Sequence, residues 1–123
     1  MSIQLNHIIV PAHDKRASAE FLGSILGVPV GEDSDPFVPL TVSNGVTLDY
    51  ANASDFQHMH CAFLVEEDEF DAAFERIQKA GLTYYADPGH RQEGEINHRW
   101  GGRGVYFDDP NGHNMEILTR VPD

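Results

Sequence analysis

The chain contains one plan written twice. Residues 5–28, LNHIIVPAHDKRASAEFLGSILGV, can be laid over residues 58–82, HMHCAFLVEEDEFDAAFERIQKAGL. Each stretch opens on an apolar strand that carries a histidine, His7 in the first and His60 in the second. Each continues into a helix with a phenylalanine fourteen residues after that histidine, Phe21 and Phe74. Each helix runs out near a glycine, Gly27 and Gly81, which suits a left-handed C-cap. A chain built from two copies of one supersecondary unit is constrained to fold as two like units.

The later segments match as well. NGVTLDYA (44–51) and NGHNMEIL (111–118) both start with Asn-Gly, a hairpin turn signal, and both place a carboxylate four residues past the glycine, Asp49 and Glu116. The expected fold is therefore α+β: one domain over 1–123, made of βαβββ modules 1–55 and 56–123. The modules form a curled mixed sheet with the helices on the outside. The second module is longer by about thirteen residues, mostly in GHRQEGEINHRWGG (89–102). Strands are expected near 4–10, 30–33, 37–43, 46–51, 58–65, 83–87, 103–108 and 113–119. Asp14 is the expected N-cap of the first helix, whose apolar stripe reads Ala17, Phe21, Leu22 and Ile25. In the second helix the stripe is Phe70, Ala73, Phe74 and Ile77.

Strand parity then sorts the polar residues. Side chains alternate across a strand, so His7 turns away from Ile8 and Val10, and His60 from Cys61 and Phe63. By the same rule Asp49 turns away from Leu48 and Tyr50, and Glu116 from Met115 and Ile117. An ionised carboxylate within an apolar strand is costly unless something pairs with it. Pairing of the two units would bring these four residues together on the face without helices. Imidazole nitrogens and a carboxylate suit a divalent cation. His7, His60 and Glu116 are the expected metal ligands, with Asp49 as a possible fourth. His58 is a minor alternative on the His60 face. Cys61, the lone cysteine, reads as a buried structural thiol.

These paired units, with His7, His60, the DDPNGH turn (108–113) and Glu116, resemble the vicinal oxygen chelate superfamily, which includes glyoxalase I, extradiol dioxygenases, fosfomycin-resistance transferases and bleomycin-resistance proteins. The resemblance spans essentially the whole chain. It implies a divalent metal (Fe, Mn, Zn, Ni or Co) on two His and one Glu, chelating neighbouring oxygens of a small substrate. It also implies a homodimer. In the glyoxalase-like members a fourth ligand stands where this chain has Asp49.

The insert GHRQEGEINHRWGGRG (89–104) is polar and glycine-rich and reads as a lid. From it, His98 is a candidate acid or base, Trp100 a platform for a flat substrate, and Arg103 a substrate contact. Tyr106 matches a position that contacts bound substrate in some relatives and is the second catalytic candidate. His113 reads as structural and His13 as exposed.

Bulk charge narrows the partners. With Asp+Glu 20 against Lys+Arg 8, net −12, a nucleic-acid partner is excluded, since phosphates need a basic patch. Such a surface tolerates a cationic ligand better than an anionic one, though solubility alone accounts for the charge. No apolar run reaches the roughly 18–20 residues of a membrane span, and no signal peptide is visible, so a cytoplasmic location is expected. The function expected is that of a metal-dependent enzyme, either a glyoxalase-like lyase or isomerase or an extradiol-type dioxygenase. The alternative is a metal-free, bleomycin-resistance-like protein that sequesters a drug-like molecule.

Overall fold

The computed structural model describes residues 2–122. The elements run β1 (His7–Ala12), α1 (Lys15–Leu26), β2 (Phe37–Thr41), β3 (Thr47–Asn52), β4 (His60–Leu64), α2 (Glu67–Lys79), β5 (Tyr84–Tyr85), β6 (Gly104–Asp108) and β7 (Asn114–Leu118). They gather into two compact units that divide between Gln57 and His58. The fold is α+β, with mixed sheets of three and four strands and no closed barrel among the described residues.

In the first unit the strand order is β1-β3-β2, with β1 parallel to β3 and β2 antiparallel to it. Asp14 caps α1 by accepting from the Ala17 N–H at 3.1 Å, and Gly27 closes the helix in the left-handed region at φ 74°. Val10, Leu22, Ile25, Val38, Leu40 and Tyr50 form the core here.

Two expectations fail in this unit. Residues 30–33 form no strand; Gly31 makes one backbone bond, from its N–H to the Pro39 carbonyl at 2.9 Å, so the first module is βαββ. The buried face of α1 is Ser18, Ala19, Leu22, Gly23 and Ile25, so the expected stripe holds at Leu22 and Ile25 and fails at Ala17, which is exposed, and at Phe21, which is half-buried. Gly23 has no room for a side chain because the chain leaving the helix passes over it: a Cβ there would lie 2.7 Å from the Val28 carbonyl oxygen and 3.0 Å from Val30 Cγ2.

In the second unit the order is β4-β7-β6-β5, with β4 parallel to β7 and the other pairs antiparallel. Acidic residues crowd the first turn of α2, and Arg76 and Lys79 lie in its last turn, matching the helix dipole. Phe70, Ala73 and Ile77 are buried as the stripe predicts, while half-buried Phe74 meets Tyr84 edge-on at 5.0 Å.

The repeat extends to the registers. His7 lies opposite Thr47 and Ile9 opposite Asp49; His60 lies opposite Asn114 and Ala62 opposite Glu116. Each carboxylate therefore sits one row along the ladder from the histidine of its own unit, on the same face. The Asn-Gly turns match too, with Gly45 at φ 87° and Gly112 at φ 84°.

Candidate functional site

The second unit brings His60 and Glu116 into contact. Glu116 is buried, at 6% exposure, and its Oε1 lies 2.8 Å from His60 Nε2. An ionised carboxylate can only accept, so the Nε2–H donates. This pairing offsets the cost of the charge in an otherwise apolar strand. His60 itself keeps an open flank, with 48% of its side chain exposed.

Tyr106 stands opposite Glu116 in the β6–β7 ladder, its ring 5.7 Å from that of His60. Burial pushes the Tyr106 phenol up, and the Glu116 charge and hydrogen bond push the same way; Arg99 pulls against them. Tyr106 is thus held as a protonated donor beside Glu116. Arg99 Nη1 donates to the Tyr106 hydroxyl at 3.0 Å. The result is a chain of contacts, Arg99 to Tyr106 to Glu116 to His60, of which Arg99 is the member that residue patterns missed. Nothing in the sequence separates Arg99 from Arg103 four positions on.

The first unit holds the other two expected ligands. His7 is exposed, its Nδ1 2.8 Å from Asn6 Oδ1. Asp49 is half-buried in the middle strand of that sheet. Among the described residues no group of three or more His, Cys, Asp or Glu side chains gathers closely enough to hold a metal ion. Two of the four expected ligands therefore meet, as the His60–Glu116 pair.

The donor chemistry of that pair fits a divalent cation. Two ligand atoms at roughly 2.1 Å and at right angles on one metal lie about 3 Å apart, close to the spacing found here once the shared proton is gone.

The remaining candidates lie elsewhere. His98 is exposed and bonds to no other side chain among the described residues. Trp100 is 48% exposed, at φ 54°. Arg103 is tied to α2: its guanidinium meets Glu67 at 2.9 Å and Asp71 at 2.8 Å and lies 4.4 Å over the Phe70 ring. The insert is pinned to the hairpin rather than left as a free flap. Ala86 N–H bonds to the Gln92 carbonyl, Gly94 N–H to the Tyr84 carbonyl, and Asn97 and Gly104 bond each other both ways. His58 packs against Gly112, where a Cβ would come within 3.0 Å of its Nε2. His113 is fully buried and accepts the Met59 N–H at 2.9 Å, a structural role as expected. Cys61 is half-buried, its thiol pushed up by burial and then by Asp109, so it stays protonated.

Residues 4–117 match the profile of the glyoxalase/bleomycin resistance protein/dioxygenase superfamily. The chain belongs to that superfamily. Within it, the solved structure of oxidase ChaP-H2 is 60% identical, with a TM-score of 0.96 over 98% of this chain and 96% of that one. Oxidase ChaP-H1 is 50% identical, with a TM-score of 0.95 over 98% of each chain. Glutathione transferase FosA of Serratia marcescens is 28% identical over 120 residues, which are 92% of this chain and 78% of FosA. Enzymes of the superfamily, such as the Fos proteins and glyoxalase, use divalent metals and act on small molecules.

Proposed function

We propose that this superfamily member is a metal-dependent oxidase, acting with dioxygen on a small molecule that offers two neighbouring oxygens. The observation that carries the reading is the His60–Glu116 pair, a nitrogen and a carboxylate donor 2.8 Å apart with one flank open. The 60% identity to an oxidase over nearly the whole chain favours oxidation over the lyase chemistry of other members.

His7 completes the set, giving two histidines and one carboxylate, the pattern that best suits Fe(II) and leaves positions for a chelating substrate. Bound there, the cation supplies Lewis-acid stabilisation of charge developing on the chelated oxygens. Glu116 balances its charge. Tyr106 keeps its proton and holds the carboxylate in place. Asp49, one row from His7, adds a further carboxylate close to the set.

His7 comes from a second copy of the chain in this proposal. β1 and β4 are edge strands of their sheets, each with one side free of ladder partners among the described residues. Both carry exposed apolar residues: Ile9 at 52% and Leu64 at 62%, with Leu5 at 64% just before β1. A homodimer that covers these edges removes an aggregation hazard and brings two chains' ligands together.

Metal analysis of protein purified without chelators tests the reading. Near-stoichiometric iron, lost in His7→Ala and in His60→Ala, is the expected result. Mixing those two variants under subunit exchange then regains part of the metal, because one site of each mixed dimer is intact. Wild-type protein without metal overturns the metal reading; a failure to regain metal overturns the shared site.

A further inference from the structure

We infer that Arg99 and Trp100 form an anion-recognising arm, and that the substrate carries an ionised oxygen on a flat, conjugated ring. The inference rests on the proposed metal site for where the substrate lies; the arm itself is read from the following observations.

The lysines and arginines of this acidic chain are scarce, and four of the eight are held in ion pairs. Lys15 pairs with Asp35, Arg16 with Glu20 and Asp33, Lys79 with Glu75, and Arg103 with Glu67 and Asp71. Arg99 differs from these four in lacking a carboxylate, and from Arg91 and Arg120, which are exposed, in being half-buried. Among the described residues its guanidinium meets no carboxylate and makes one side-chain hydrogen bond, donating to the Tyr106 hydroxyl at 3.0 Å with its carbon 5.8 Å from the centre of the Tyr106 ring. An arginine fork has more donors than one phenol oxygen can use. A partly desolvated cation without a counter-charge is costly, and its geometry suits bidentate recognition of an oxyanion. The bulk charge of −12 disfavours anions over the surface as a whole. Arg99 reverses that preference locally, against the expectation from composition.

The arm is also held in place. The Arg99 N–H is bonded to Asn97 Oδ1 at 3.2 Å, and the Asn97 amide is anchored on the Ala86 carbonyl at 2.8 Å. The next residue, Trp100, sits in the left-handed region at φ 54° and ψ 27°, which a bulky side chain seldom adopts. Its indole, on the residue that follows Arg99, is 48% exposed. Through Tyr106 the arm reaches Glu116. A flat anion that lies on the indole and salts the guanidinium is thereby directed toward the His60–Glu116 pair.

Trp100 is the one tryptophan of the chain, so its fluorescence reports on the arm directly. The full-length protein as purified is titrated with benzoate and with its neutral isostere benzamide, and the titrations are repeated after metal removal. Saturable change with benzoate is expected, at least tenfold tighter than with benzamide. Arg99→Met is expected to weaken benzoate tenfold or more and to leave benzamide unchanged, while Arg99→Lys falls between. Equal affinity for the two probes, or none for benzoate, overturns the inference in the wild-type protein without recourse to any variant. Discrimination that persists in metal-free protein keeps the arm even if the metal site fails. Metal binding without discrimination keeps the site and removes the arm.

Discussion

His60 Nε2 lies 2.8 Å from Glu116 Oε1, and the two residues reach this contact from parallel strands one ladder row apart. The bond occupies the donor atoms that a cation would use, so metal binding and this hydrogen bond compete for the same lone pairs. Glu116→Gln keeps an acceptor for His60 but drops the charge. Its metal affinity is expected to fall roughly 100-fold or more, while stability changes by only about 1–2 kcal/mol. Isothermal titration with Fe(II) under anaerobic conditions, beside a denaturant melt, checks both. Undiminished affinity would remove Glu116 from the ligand set.

A glycine inside a helix is usually improved by alanine, by about 1 kcal/mol. Gly23 of α1 is expected to break this trend. Its new Cβ would lie 2.7 Å from the Val28 carbonyl oxygen and 3.0 Å from Val30 Cγ2. Backbone cannot yield cheaply, so Gly23→Ala should destabilise by about 1–3 kcal/mol. A urea melt showing Gly23→Ala as stable as wild type would contradict the close packing of α1.

Arg103 and Arg99 are expected to fail in different ways. Arg103 bridges Glu67 and Asp71 of α2 and covers Phe70. Arg103→Ala should lower stability by roughly 1–2 kcal/mol and leave the benzoate affinity of Trp100 unchanged. The reverse outcome, full stability with lost benzoate binding, would restore Arg103 as the substrate contact.

Asp87 gives a pH signature. Partial burial opposes its charge, but the N–H groups of Gln92 and Arg91, at 2.8 Å and 2.9 Å from its Oδ1, outweigh this and hold its carboxyl below the usual range. The folded chain therefore takes up this proton less readily than the unfolded one. Asp87 adds stability above the unfolded pKa of about 3.9 and loses that contribution as the pH falls through the lower folded value. Wild type and Asp87→Asn should differ in urea midpoint at about pH 6 and converge toward pH 3. A gap independent of pH would show that the Asp87 charge is not what the backbone recognises.

Much of the fold was legible because the signals are local. The Asp14 cap, the Asn-Gly turns and the α2 stripe depend on residues a few positions apart. Residues 30–33 were misread as a strand: Gly31 donates to the Pro39 carbonyl, but a proline has no N–H to return the bond, and no ladder forms there among the described residues. The inward face of α1 was read correctly at Leu22 and Ile25 and misread at Ala17 and Phe21, because Ser18 and Gly23 look polar or neutral in a stripe, yet Gly23 faces the returning chain at Val28 and Val30, where a side chain has no room.

By itself the sequence determined a duplicated unit and the strand parity that puts His60 and Glu116 on one face, since alternation and repeat offsets are properties of the chain. Tertiary structure alone decided which arginine does what. Arg99 and Arg103 are near neighbours of the same type, but one reaches Tyr106 across the β5–β6 connection and the other is claimed by the carboxylates of α2. A side chain's partner across space is set by packing between elements distant in sequence, and no local pattern encodes it.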